Sequence, residues 1–292
     1  MSKRLPRYSI CTLSDASHSE NDFIADHLSK YIEEHKNLKF PHKHTFYHIV
    51  YFTKGKGNHS IDFIKFPVKP GQVYFMIPEQ VHTWEFEGNV DGYIINFSES
   101  FIYDLISNPR YLDQFSFLSG DAMQQVIELP KNVQPEFTKL CERIITEQQS
   151  ANHLKDDFIR TALLQLLIVT NRCCSTETTK ENHYNSLLLS NFKRLIDLHY
   201  KDKKLTKEYA ALLYVTPNHL NALTKDATGR SAGELIRDRI VLEAKRLLVN
   251  ANMNISEIAT ELDFIDNSYF TKFFKKHAGV TPEVFRKQFQ TN

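Results

Sequence analysis

Glycine and proline are scarce in this sequence, at 9 and 10 of 292 residues, where the two together usually make up about 12% of a chain. Their scarcity excludes collagen-like, low-complexity and Pro/Gly-linker classes. Cysteine is scarce as well. Cys11, Cys141, Cys173 and Cys174 show neither disulfide-framework nor zinc-finger spacing and read as reduced thiols of a cytoplasmic protein. No apolar run approaches the roughly 18 residues of a membrane span. The basic start, Met1 to Pro6, has no apolar stretch behind it, so neither a secretory signal nor a membrane partner is expected. An excess of charge is also missing: 36 Lys+Arg against 35 Asp+Glu leave a net +1, which rules out a chain basic throughout. The length leaves room for roughly one to three domains.

The near-zero total hides an asymmetry. Residues 1–183 hold 19 basic and 23 acidic side chains, a net −4, while residues 184–292 hold 17 and 12, a net +5. A basic half points to a polyanionic partner, and an acidic half stays clear of it. Glycine and histidine are uneven too. Five glycines (Gly55, Gly57, Gly71, Gly88, Gly92) fall within 55–92 and five histidines (His42, His44, His48, His59, His82) within 42–82.

In the same stretch HTFYHIVYF, HSIDFIKF, QVYFMI and GYIINF read as short antiparallel strands, with KGKGN, PVKPG, PEQ and EGNVDG as turns. Helical spacing takes over near residue 132 and predicts helices over 134–150 and 156–172. The second of these is apolar around most of its circumference, so it is expected to be buried, either wholly within the chain or with one side on the sheet and the other on a second subunit. The polar segment around CCSTETTKENHYN reads as a linker. The expected organisation is a β domain over 1–130, a helical dimerisation region over 131–173, a linker over 174–185 and an all-α domain over 186–292.

The C-terminal part contains a repeat. KEYAALLYVTPNHLNALTKDATGRSAGEL matches SEIATELDFIDNSYFTKFFKKHAGVTPEVF, with Ala210 on Ala259 and Leu213 on Leu262 at an offset of 49. After the turn, Leu220 falls on Phe270, Lys225 on Lys275 and Gly229 on Gly279 at an offset of 50, so the second turn carries one extra residue. Each copy reads as helix, tight turn, second helix and closing glycine, a helix-turn-helix unit. Thr216 and Asp266 are expected N-caps, Ser231 and Glu234 a capping box, and Gly229 and Gly279 helix ends. The long helix 232–250 between the copies spans about 28 Å, which allows two recognition helices to stand about 34 Å apart, one turn of DNA. Helical geometry turns Asn218, Asn221 and Lys225 outward in copy one, and Asn267, Ser268, Thr271, Lys272 and Lys275 in copy two. Amides suit base edges and lysines suit phosphates.

Residues 190–290 resemble the AraC/XylS class of bacterial transcription regulators through IRDRIVLEAKRLL, ISEIA and DFIDNSYFTKFFKKHAGVTPEVFR. The resemblance implies a cytoplasmic, dimeric regulator that acts through double-stranded DNA and RNA polymerase, usually as an activator. It also places the base-reading face on Asn218, Asn221, Ala222, Asn267, Ser268, Thr271 and Lys272. Three positions depart from the pattern. Ala222 stands where Arg is common, Thr224 where Phe is usual, and Asp263 where Gly begins a Gly-Phe pair. The small Ala222 implies less base specificity in copy one, and Asp tolerates a left-handed turn.

In the N-terminal part, strand alternation puts His42, His44, Phe46, His48, Val50 and Phe52 on one face. With His82, the pattern H-x-H-x3-H followed by G-x6-P-x3-H resembles cupin barrels, which many AraC-type regulators carry as effector domains. Metal-binding cupins use three His and one Glu. His42, His44 and His82 match three of those places, and His48 stands in the fourth. The expectation taken is a small-molecule effector held by His42, His44, Phe46, His48, Phe52 and His82, with no resident metal or cofactor, no catalytic residue and no enzymatic activity. Two alternatives are a cupin metalloenzyme with a DNA-targeting domain and a ligand-independent regulator whose barrel only dimerises.

Overall fold

The computed structural model describes residues 6–13, 22–106, 108, 110–174, 180–250 and 253–290. The chain divides into two compact units between residues 176 and 177.

In the N-terminal unit, β1 (Arg7–Tyr8), α1 (Ile10–Leu13), β2 (Phe23–His27) and α2 (Leu28–Glu34) precede β3 (His42–His44), β4 (Tyr47–Ile61), β5 (Ile64–Pro67), β6 (Gln72–Met76) and β7 (Val81–Phe97). α3 (Glu99–Tyr103), β8 (Val126–Glu128), α4 (Gln134–Gln148) and α5 (Lys155–Cys174) follow. The eight strands form one sheet in the order β1-β3-β7-β4-β6-β8, with β2 also on β7 and β5 on β4. Every pairing is antiparallel except β1 with β3.

Two of the expected turns are not turns. KGKGN lies inside β4 and EGNVDG inside β7, and these long strands pair from Tyr47↔Phe97 to Ile61↔His82, with register shifts between Phe52 and Lys54 and between Lys54 and Lys56. The glycines bend the strands instead of ending them. At Gly92, φ is +150° and a Cβ would lie 1.9 Å from the Tyr51 carbonyl oxygen, so the two strands close only over a residue without a side chain. The actual reversal is Asp62-Phe63, in the middle of a run expected to be one strand. Its φ values of 46° and 71° are the paired left-handed conformations of a two-residue hairpin, and Ile61 pairs with Ile64 across it.

Alternation gives the sheet two apolar faces. Ile49, Tyr51, Val73, Phe75, Tyr93, Ile95 and Phe97 pack with Phe137, Leu140 and Ile144 of α4 and with Leu163, Leu166 and Leu167 of α5. Val50, Phe52, Tyr74, Met76 and Ile94 face the other way, into a core with Tyr31, Phe46 and Trp84. α5 spends most of its apolar circumference within the chain, because Leu164, Ile168 and Val169 also pack against the first cluster, though only partly buried.

The C-terminal unit comprises α6 (Lys180–His199), α7 (Thr206–Leu212), α8 (Pro217–Thr228), α9 (Ala232–Asn250), α10 (Ile255–Glu261), α11 (Asn267–Ala278) and α12 (Pro282–Gln290). α6 begins inside the segment read as a linker; residues 175–179 of that segment lie outside the described residues. α9 is the shared pillar of the unit. Its Ile236, Ile240, Ala244 and Leu248 are buried, as are Leu220 and Leu223 of α8 and Phe270 and Phe274 of α11. Arg239 locks α9 to α6. Its Nε donates to Asp197 at 2.7 Å, its Nη1 donates to Glu243 at 2.9 Å, and its guanidinium lies 4.1 Å from the Tyr200 ring centre.

Candidate functional site

The two helix-turn-helix units have the same turn geometry residue for residue. In copy one Leu213, Tyr214 and Val215 donate their N–H groups to Tyr209, Ala211 and Ala210. In copy two Leu262, Asp263 and Phe264 donate to Ile258, Thr260 and Ala259. Tyr214 and Asp263 hold the matching left-handed positions at φ 56° and 53°. Asp263 therefore makes the turn expected of it in place of Gly. The caps then fall one residue further apart. Thr216 Oγ1 accepts from His219 N at 3.1 Å and Asp266 Oδ1 from Tyr269 N at 2.6 Å. Ile265 is thus the extra residue, and it stands 98% exposed. Both recognition helices close on left-handed glycines, Gly229 at φ 73° and Gly279 at φ 83°.

Asn218, Ala222 and Lys225 are exposed on α8, and Asn267, Ser268, Lys272 and Lys275 on α11, with Thr271 half-buried beside Asn267. Asn221 also makes a contact within the unit. It is half-buried, and its Oδ1 accepts the Ala232 N–H at 3.1 Å, tying α8 to the first turn of α9. Thr224 fits its core position because its hydroxyl donates to the Leu220 and Asn221 carbonyls at 3.0 and 3.1 Å. Two exposed aromatics went unnoticed in the sequence: Tyr214 on the first turn, 96% exposed, and Tyr269 on α11. Their spacing carries no signal that separates them from core aromatics.

In the N-terminal unit the structure gathers all five histidines of the 42–82 stretch, each at most 3% exposed. Cross-strand register does this. His42 opposes His82, His59 opposes Trp84, and His48 opposes Asn96. Ring centres are 4.1 Å apart for His42–His82, 4.8 Å for His42–His44, 4.7 Å for His44–His82 and 5.0 Å for His44–His48. Phe46 lies 4.4 Å from His44. Phe52 sits further along the face, at 5.3 Å from Tyr74 and 5.8 Å from Phe86, as core filling. His59, Trp84 and Asn96 were not expected at the site. Only the pairing of β4 with β7 brings them there, and the expected turns had hidden that register. Burial lowers the pKa of His42 and His48 to about 4 and holds those of His44, His59 and His82 well below the ordinary value, so all five rings are neutral near pH 7.

A duplicated helix-turn-helix with two polar helix faces, following a sheet unit that encloses a buried imidazole cluster, defines a DNA-binding transcription regulator with a separate ligand-binding domain. The comparisons with known proteins agree. Residues 209–288 match the helix-turn-helix domain family and residues 30–168 the AraC-like ligand binding domain family. The chain is 26% identical over 265 residues to the uncharacterized HTH-type transcriptional regulator YfiF of Bacillus subtilis, covering 85% of this chain and 79% of that one. It is 23% identical over 265 residues to the HTH-type transcriptional activator RhaR of Cronobacter sakazakii, covering 87% and 88%. The solved structure of ToxT from Vibrio cholerae O395 aligns over 93% of this chain and 99% of that one, at 11% identity and a TM-score of 0.45. The chain belongs to the AraC family of transcriptional regulators, with its ligand-binding domain ahead of its helix-turn-helix domain. Among the described residues no helix is long and apolar enough to cross a membrane.

Proposed function

We propose that the chain is a cytoplasmic, sequence-specific activator that binds DNA as a homodimer, contacts RNA polymerase and responds to a small effector held by the N-terminal unit. The observation that carries the DNA-binding part is the exposed polar face repeated on α8 and α11 behind equivalent turns. Asn267, Ser268 and Thr271 read base edges there, while Lys225, Lys272 and Lys275 meet phosphates. Asn218 and Ala222 form the weaker reader, the methyl of Ala222 suiting a thymine methyl. The effector reading rests on the histidine face, and the activator reading on the similarity to RhaR, which is described as an activator. We assign the second subunit of the homodimer to the flank of α5 where Leu164 and Ile168 stay only partly buried. No catalytic residue is assigned.

The test is a mobility-shift titration of the full chain on its own upstream DNA from 50 to 200 mM salt. Binding should weaken steeply with salt. Asn267→Ala should cost about 1–3 kcal/mol and relax base preference at one position, while Lys272→Ala should weaken all sequences alike and lower the salt slope by about 1. No binding at low salt overturns the reading.

A further inference from the structure

The turn of the first helix-turn-helix unit carries a side chain that its own fold does not use. Tyr214 is almost wholly exposed, so its ring and hydroxyl stand in solvent. Its backbone is left-handed, at φ 56°. That conformation crowds the Cβ of any L-residue; Gly, Asn and Asp visit it readily and aromatic residues do not. Copy two meets the same requirement with Asp263 at φ 53°, a residue suited to it. The chain therefore keeps a bulky aromatic at a position of the turn that disfavours one, and gains no packing in return. Residues held in such conformations gather at functional sites.

The charges around the two turns are unequal. From Tyr209 to Lys225 copy one has no Asp or Glu, whereas the matching stretch of copy two, Ile258 to Lys275, has Glu261, Asp263 and Asp266, all three exposed. A polyanion can reach the first turn without meeting a carboxylate of that stretch. Tyr214 stands two residues ahead of Thr216, the N-cap of α8. In helix-turn-helix docking the recognition helix enters the major groove by its N-terminal residues, while the first helix crosses the sugar-phosphate backbone. The turn that joins them then lies over the backbone at the edge of the groove. A phenol O–H at that place is a donor to phosphate oxygens.

We propose that Tyr214 is a phosphate-contacting residue, its hydroxyl donating to a phosphate oxygen of double-stranded DNA at the edge of the groove that α8 enters. The contact rests on the DNA-binding reading above and adds to it a residue outside both recognition helices. It fixes where copy one stands on the duplex and reads no base. Copy one, whose Asn221 oxygen is held by the Ala232 N–H, thereby has a grip on DNA that does not depend on sequence.

The test compares the full chain with Tyr214→Phe and Tyr214→Gly, on its own upstream DNA and on a mixed-sequence duplex of the same length. Loss of one neutral hydrogen bond should weaken Tyr214→Phe about three- to tenfold, by the same factor on both DNAs. The salt slope should stay as it is, since a neutral phenol displaces no counterion. Phosphate-ethylation interference should show one position that inhibits the parent and no longer matters to Tyr214→Phe. Tyr214→Gly should bind at least as weakly while melting higher than the parent, a split that a merely structural residue does not give. Parent-like affinity of Tyr214→Phe on both DNAs, or an unchanged interference pattern, overturns the contact. A loss confined to the upstream DNA overturns it too, because that is the mark of a base reader. Full DNA affinity with lost transcription activation would place Tyr214 against RNA polymerase instead, and likewise overturns the contact. A parent that binds neither DNA at low salt brings down the DNA-binding reading itself, which sets that failure apart from a bound parent with an indifferent variant.

Discussion

Acid should unfold the N-terminal unit well before it unfolds an average domain. The perturbation is a drop from pH 7.5 to 5.5. Burial pushes His42 and His48 down to about 4 and holds His44, His59 and His82 well below 6.5, and neighbouring rings add to the lowering of His44, His48, His59 and His82. Each folded-state pKa is depressed, so between about 6.5 and the folded value the unfolded chain binds the extra proton. Stability is therefore full above the unfolded pKa and is lost as the pH falls. One imidazole that stays neutral in the fold contributes about 1.4 kcal/mol to the difference between these two pH values, and five contribute about 7 kcal/mol. That is comparable with the whole stability of a domain, about 5–15 kcal/mol. Trp84 is the sole tryptophan and lies 5.9 Å from both His48 and His82, so its fluorescence in a urea titration reports on this unit alone. With a slope of about 1–3 kcal/mol per molar, the midpoint should fall by roughly 3 M. A shift below about 0.5 M would refute the reasoning, and His59→Phe should remove one proton from the linkage.

Three further substitutions probe the C-terminal unit. Tyr214→Gly relieves a left-handed backbone at a side chain that packs on nothing and should raise stability by about 1 kcal/mol, measured by thermal melting. Asn221→Ala leaves the Ala232 N–H without its acceptor. A loss of about 1 kcal/mol is expected, with a weaker operator complex in a mobility shift. Arg239→Met breaks the Asp197 and Glu243 contacts and should cost about 2 kcal/mol, less than the 3–5 of a fully buried pair because Asp197 is half-exposed. Urea denaturation followed by circular dichroism measures it, and a loss under 0.5 kcal/mol would mean that α6 and α9 hold together without it.

The two helix-turn-helix copies were legible almost to the residue because each signal was local. Thr216, Asp266, Gly229 and Gly279 act within one turn of their own positions, and the repeat doubled the evidence for each. The offset of 49 changing to 50 put one extra residue in the second turn, and the structure identifies it as Ile265. In the sheet, the face shared by His42, His44, Phe46 and His48 was legible from alternation. Strand ends were not. A glycine that bends a paired strand, as at Gly55 or Gly92, has the same local chemistry as one that ends it, and the difference lies in a partner some forty residues away. The reversal at Asp62-Phe63 was hidden for the converse reason, since a phenylalanine at positive φ carries no turn signature. His59 joined the cluster through register alone. Asn221 was assigned outward by helical angle, which cannot see the α9 backbone that claims its oxygen.

If α8 and α11 read DNA as proposed, that single bond from Asn221 to α9 divides the labour between them. In that reading the first copy, with one amide oxygen held by the frame and a bare methyl at Ala222, serves more as a ruler than as a reader. The second copy keeps Asn267, Ser268 and Lys272 exposed. A binding site suited to this protein would have two unequal words, one spelled closely and one defined chiefly by its distance from the first. Mutations that lengthen the spacer should then do more harm than base changes under the first helix.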